Sequence, residues 1–219
     1  ATTGKLTTLD GRETAPMAAT PQLFQNANGE RLKFWDAVVG GRSVGVPGTP
    51  ALMEAAHKKW GQKAWSDLFL EAIDLAESGF SVSPRLAALV AADADRLRQF
   101  PDTAAYFFRG GEPLVEGSRL INLEYADVMR KMADEGARVI YSGDIARAIV
   151  DTVRGAKSNP GVITLTDLHI YEVKERPAIC VPFRGHQVCG MGPPSSGALT
   201  VGQILGLLDQ FPVGAENHP

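Results

Sequence analysis

The chain has 219 residues, 44% of them hydrophobic and 21% charged, proportions of an ordinary globular protein and not of a disordered, collagenous or coiled-coil chain. Its 22 Lys and Arg nearly balance 25 Asp and Glu, leaving a net charge of −3, so it lacks the electrostatic footprint of a nucleic-acid binder. No apolar run approaches the length of a membrane-spanning helix, and a chain of this size can bury a core without disulfides or a metal.

The start, Ala1-Thr2-Thr3-Gly4-Lys5, has no basic segment followed by an apolar run, so no signal peptide is expected there. Lys5 to Leu9 alternates and carries β-branched residues, which predicts a short strand closed by the Asp10-Gly11 turn. Residues 14–48 show no sustained period and are punctuated by Asn28-Gly29, Gly40-Gly41 and Pro47-Gly48, the marks of a long loop.

From Thr49-Pro50 the pattern turns helical, with Leu52, Ala55, Ala56 and Trp60 on one face. A second helix is expected from Ser66 to Gly79, a third from the Ser83-Pro84 cap to Pro101, a fourth from Asn122 to Gly136, and a fifth from Ser142 through Ile145, Ile149 and Val153. Asn159-Pro160-Gly161 breaks the run. Beyond it, Thr166 to Leu168 reads as one helical turn, Tyr171 to Glu175 as a strand, 178–191 as a hairpin, and Leu199 to Gln210 as a last helix bearing Ile204, Leu207 and Leu208. The chain therefore reads as α+β class, in one domain: strand and long loop over 1–48, a helical lobe over 49–158, and hairpin, loop and helix over 159–219.

The chain has two cysteines, Cys180 and Cys189, flanking the two-residue turn Arg184-Gly185. In that hairpin 180 faces 189 in the close, non-hydrogen-bonded class of pair. The geometry permits a cross-strand disulfide, but two small apolar residues packed side by side is the reading preferred from sequence.

Candidate chemistry is sparse. His57, His169, His186 and His218 stand at no metal-ligand spacing. The glycines between Gly40 and Gly48 lead into a helix N-terminus, yet match no phosphate-binding fingerprint, so a loop needing glycine for backbone reasons is expected. Ser195 and Ser196 lack the glycine pattern of a nucleophile elbow and read as helix caps. Thr2 could act as an N-terminal nucleophile only after loss of Ala1. Arg12 follows the first strand and offers a planar fork for a carboxylate, although an Arg beside Glu13 is more often a solvated charge.

Several ordered motifs resemble those of the gamma-glutamyltranspeptidases, a family of N-terminal-nucleophile hydrolases, over residues 5–211. They include Leu9-Asp-Gly-Arg-Glu-Thr-Ala-Pro16, Val44-Gly-Val-Pro-Gly-Thr49, Ala72 to Phe80, Tyr141-Ser-Gly-Asp-Ile-Ala146, Ile163-Thr-Leu-Thr-Asp-Leu168, Tyr171 to Arg176, and Phe183-Arg-Gly185 leading to Pro193-Pro-Ser-Ser-Gly197. Each is weak alone; number and order carry the resemblance.

The resemblance implies an αββα fold, here incomplete, and a parent enzyme that cleaves itself to expose a nucleophilic threonine on a small subunit. That threonine attacks a γ-glutamyl amide such as glutathione, and the acyl group passes to water or an amino acid, with no metal or organic cofactor. It implies that Arg12 pairs with the α-carboxylate of the glutamyl group, and that the location is periplasmic or extracellular. The match is to an internal stretch of the large subunit, so the nucleophile is expected outside this chain and the 219 residues alone are expected to show no turnover. Thr2-Thr3 lies upstream of the Arg12 motif, the wrong place for the processing threonine, and Ala198 stands where the family usually has a second glycine. A glutaryl or cephalosporin acylase on the same scaffold, or a non-catalytic α+β binding module, are the alternatives.

Overall fold

The computed structural model describes residues 4–211. β1 (Thr8–Asp10) starts later than the alternating stretch and ends at the expected turn. Residues 14–48 are mostly loop, interrupted by a five-residue helix, α1 (Phe34–Val38), that the pattern does not announce. α2 (Thr49–Trp60) carries Pro50 in its first turn, where the missing N–H costs nothing. A 3-10 turn at Ser66–Phe69 leads into α3 (Leu70–Ser78), which stops at Gly79 with φ 79°. After β2 (Phe80–Ser81), α4 (Pro84–Ala92) begins where the Ser83 hydroxyl accepts the Leu86 N–H at 3.2 Å.

The structure breaks the single helix expected up to Pro101. α4 ends at Ala92, α5 (Ala94–Leu97) follows, and Pro101 opens α6 (Pro101–Phe107) instead of closing anything, because proline is preorganised for a first helical turn. β3 (Phe108–Arg109) and β4 (Glu112–Pro113) form a hairpin about Gly110-Gly111, and β5 (Arg119–Leu120) returns to pair with β2. α7 (Leu123–Glu135) is capped by Asn122, whose Oδ1 accepts the Tyr125 N–H at 2.8 Å. α8 (Arg138–Tyr141) and α9 (Gly143–Arg154) come next; Ser142 precedes α9 but its hydroxyl donates to the Arg138 carbonyl at 3.1 Å, so it does not cap through its side chain as expected. The described residues close with α10 (Leu165–His169), β6 (Lys174–Arg176), β7 (Ala178–Phe183), β8 (His186–Met191) and α11 (Gly197–Leu208). Every sheet among the described residues is a two-stranded antiparallel pair.

The described residues gather into two compact units. Ala15–Val46 with Trp60–Ile170 form the helical one. One cluster in it joins Phe69, Met132, Val139 and Ile140, with Trp65 stacking edge-on against Phe69 and donating its indole N–H to the Met132 carbonyl at 2.7 Å. A second joins Val82, Leu114 and Leu120. The deepest face of α9 is Ala146, Val150 and Val153; of the expected Ile145, Ile149 and Val153 stripe only Val153 belongs to it, and Ile145 and Ile149 instead flank the Phe69 cluster.

Two buried polar side chains lock loops of this unit. Asn159 is only 4% exposed, and its amide donates to the carbonyls of Ala37 and Val39 at 3.2 and 2.9 Å. Asp167 closes a capping box with Thr164 and also accepts the Met17 N–H at 2.8 Å. Burial pushes the Asp167 carboxyl up, but the Met17 N–H and the Thr164 groups outweigh it and hold the carboxyl below its ordinary 3.8. A lowered folded pKa contributes stability that is fully present above 3.8 and lost as pH falls through the lower folded value. Asp167→Asn is therefore expected to cost about 1–2 kcal/mol near neutrality. Urea midpoints of the two proteins should converge as pH falls below 3.8; a gap independent of pH would contradict the account.

The second unit comprises residues 4–14, 47–59 and 171–211. β1 pairs with β6 in a register that sets Leu9 opposite Glu175. The β7–β8 hairpin turns at Arg184-Gly185, with φ 46° and 79°, in the expected register of Cys180 opposite Cys189. The preference for unbonded cysteines is corrected: Cys180 and Cys189 form a disulfide, their Cα atoms 4.1 Å apart as the close class of pair allows. It lies on the exposed face of the hairpin, while Ile179, Val181 and Val188 turn inward. α11 packs on that inner face through small residues. A Cβ at Gly202 would sit 3.0 Å from Val181, and a Cβ at Gly190 would sit 3.2 Å from the Ala198 methyl. This stripe, and not Ile204 and Leu207, seats the helix; both leucine-type side chains stay exposed. Replacing both cysteines by serine removes the closure of a loop of about ten residues and is expected to cost about 2.5 kcal/mol, measurable as a difference in urea midpoint that vanishes when the parent protein is reduced.

Candidate active site

The site is built where β1 gives way to loop. Asp10 ends the strand and is buried, and its carboxylate serves both directions: Oδ1 accepts the Arg12 backbone N–H at 3.1 Å, and Oδ2 accepts Arg176 Nε at 2.8 Å. The Arg12 N–H, then burial acting the other way, then Arg176, set the Asp10 carboxyl below its ordinary value. Arg176 stands across from Thr8 in the β1–β6 ladder, and the Thr8 hydroxyl donates to its carbonyl at 2.9 Å. From the same segment Tyr171 reaches back, and its hydroxyl donates to the Arg12 carbonyl at 2.8 Å.

Two glycines make this approach feasible. A Cβ at Gly48 would fall 2.0 Å from the Tyr171 hydroxyl and 2.1 Å from the Gly11 carbonyl, and one at Gly11 would fall 2.4 Å from Leu52 Cβ. The start of α2 can thus press directly on the turn that carries Arg12.

Arg12 projects from this turn with its side chain 58% exposed, its Nε 3.4 Å from the Glu13 carboxylate. A loose pair of exposed charges stabilises little and leaves the guanidinium free to exchange partners. Around it lies a polar cleft of about 480 Å³, walled by Arg12, Glu13, Tyr171, Lys174, Arg176 and Pro193. The sequence singled out Arg12; it did not single out Asp10, Tyr171, Lys174 or Arg176 as its surroundings. Only the Asp10-Gly11 turn and the Tyr171–Arg176 motif pointed at them, and neither tells that 10 and 176 are paired.

The other sequence candidates do not join this cleft. Ser195 Oγ accepts the Gly197 N–H at 3.2 Å, and Ser196, at the cap position of α11, makes no capping bond. The Gly40–Gly41 bend borders a separate, mostly apolar cavity of about 580 Å³ beside Phe100 and Pro101. It offers little to an anion, since the N–H groups of Gly41 and Arg42 are both taken by the Asn159 carbonyl at 2.8 and 3.0 Å. Among the described residues no three His, Cys, Asp or Glu side chains are gathered closely enough to hold a metal ion. Thr2, Thr3 and His218 lie outside the described residues.

Comparison with known proteins agrees across the whole chain. The sequence model of the gamma-glutamyltranspeptidase family matches residues 1–218. The chain is 36% identical, over 94% of its length, to a glutathione hydrolase proenzyme of Bacillus subtilis strain 168, covering 34% of that protein. It is 33% identical, over 97% of its length, to an acylase ACY 1 proenzyme of Pseudomonas sp. strain V22, covering 38% of it. The crystal structure of Helicobacter pylori gamma-glutamyltranspeptidase superposes on 100% of the chain with a TM-score of 0.93 at 32% identity, the match covering 62% of that solved chain. The chain thus spans about a third of the length of the curated relatives it matches.

The α+β fold is that of the N-terminal-nucleophile hydrolases, of which this chain carries a part. It belongs to the gamma-glutamyltranspeptidase family.

Proposed function

We propose that this chain forms part of a γ-glutamyltransferase or hydrolase that cleaves γ-glutamyl amides such as glutathione, with Arg12 gripping the α-carboxylate of the glutamyl group. The observation that carries the reading is the placement of Arg12: an accessible guanidinium, on a backbone held by Asp10 and Tyr171, opening onto a polar cleft at the end of a strand. Two parallel charge-assisted hydrogen bonds from that fork hold one end of the donor. The γ-carbonyl at the other end is then kept within reach of the nucleophile.

The nucleophile belongs to the small subunit, which is the partner of this chain. Its threonine hydroxyl adds to the γ-carbonyl while its own α-amine takes the proton. The C–N bond breaks, the amine departs with that proton, and the ester left behind is resolved by water or an amino acid. The Cys180–Cys189 disulfide supports an oxidising compartment, periplasmic or extracellular. Among the described residues no helix is long and apolar enough to cross a membrane.

A second reading, an acylase for glutaryl or cephalosporin side chains, is favoured by the Pseudomonas acylase relative. The mature enzyme, assayed on a γ-glutamyl anilide and on a glutaryl anilide lacking the α-amine, separates the two. Preference for the first substrate supports the transferase, preference for the second the acylase, and turnover of neither leaves a binding module.

A further inference from the structure

The Arg12 backbone is unusual in how both of its polar groups are satisfied. Neither belongs to a strand ladder. Its N–H goes to the carboxylate of Asp10, two residues back, and its carbonyl accepts from the hydroxyl of Tyr171, 159 residues further on. β1 is only three residues long, so the ladder by itself orients the turn beyond it weakly. What holds the peptide of Arg12 in place is this pair of side chains.

We propose that Tyr171 is a positioning residue: its hydroxyl fixes the peptide from which the Arg12 guanidinium projects, and it acts on the substrate only through that arginine. The inference rests on Arg12 being the α-carboxylate anchor. Space for the hydroxyl is set aside at Gly48, where any side chain would begin 2.0 Å from the Tyr171 oxygen. The hydroxyl also remains a donor, because burial, and after it the nearby carboxylates of Asp10 and Glu13, push the Tyr171 pKa above its ordinary 10.0. A misplacement of about 1 Å in a gripping group is enough to cost up to about 10²-fold in rate. Releasing the Arg12 carbonyl should therefore be felt at the far end of the donor and nowhere else.

The test uses the mature two-subunit enzyme and two anilides, γ-glutamyl and 4-aminobutanoyl; the second keeps the amine and lacks the α-carboxylate. Tyr171→Phe removes the hydroxyl and keeps the ring. It is expected to raise KM for the γ-glutamyl anilide about 5- to 20-fold, with kcat changed less than about twofold. Its kcat/KM for the 4-aminobutanoyl anilide should match that of the parent. Added to Arg12→Ala, it should cost nothing further, as two changes acting through one contact do not add. An equal loss on both substrates would make Tyr171 a purely structural residue and overturn the proposal. So would an unchanged KM in Tyr171→Phe while Arg12→Ala abolishes the preference for the carboxylate-bearing donor, a result that leaves the role of Arg12 standing. If Arg12→Ala itself keeps that preference, the assignment of Arg12 fails, and the role of Tyr171 with it.

Discussion

Arg12→Ala in the mature enzyme is expected, on the proposed role, to lower kcat/KM for a γ-glutamyl anilide by about 10²–10⁴-fold, since each hydrogen bond to a charged partner contributes about 1.5–3 kcal/mol and a bidentate grip loses two of them. Most of the loss should fall on KM, because the α-carboxylate is remote from the reacting bond and is held alike in ground and transition states. A smaller part should fall on kcat, as the donor loses its fixed end. The exposed Glu13 neighbour has no strong hold on the guanidinium in the unbound protein, so little stability should be lost along with it. Arg12→Lys, which keeps the charge but not the fork, should lie between the two. Steady-state kinetics on the γ-glutamyl and 4-aminobutanoyl anilides check this, the second substrate being indifferent to the change. An unaltered KM for the γ-glutamyl donor removes Arg12 from the pocket.

Gly41→Ala should be the most damaging single methyl in the helical unit, costing about 3 kcal/mol or more. The new Cβ would stand 1.9 Å from the Val153 carbonyl and 2.7 Å from the Gly161 nitrogen. Those two atoms are the partners of a backbone hydrogen bond of 2.9 Å, so the methyl would intrude on a bond between backbones with no flexible side chain to yield. The same loop is tied at the N–H groups of Gly41 and Arg42, so the displacement cannot be absorbed locally. Gly29→Ala makes the control: φ there is 79° but nothing lies within 4 Å, leaving only the left-handed strain of about 1 kcal/mol. Urea midpoints of the two variants should differ clearly; equal costs would show that close approach is not what position 41 requires.

Local signals in the chain are legible where side chain and backbone settle matters between near neighbours. Ser83, Asn122 and Gly79 mark helix ends because a cap is a contact within a few residues. The Arg184-Gly185 turn sets the register of a hairpin because two left-handed residues leave one way to pair the flanking strands. These signals mislead where one residue type serves opposite ends: Pro101 has the chemistry of a stop and is a start, and Ser142 has the chemistry of a cap and bonds backwards to Arg138.

At the site, Arg12 was legible as a residue and as part of a family motif, whereas its setting was not. The pairing of Asp10 with Arg176 and of Arg12 with Tyr171 joins positions 166 and 159 residues apart, and no period or turn encodes such a meeting. By itself the sequence determined the order of the longer helices, the hairpin and the arginine, because these follow from propensity, capping and motif. Tertiary structure alone decided that Gly11, Gly48 and Gly41 are places of backbone contact, that Cys180 and Cys189 are bonded, and that a tyrosine and an aspartate hold the arginine's peptide from both sides. The physical reason is that these depend on which distant surfaces are pressed together, and that choice is made by the burial of the whole chain and not by any stretch of it.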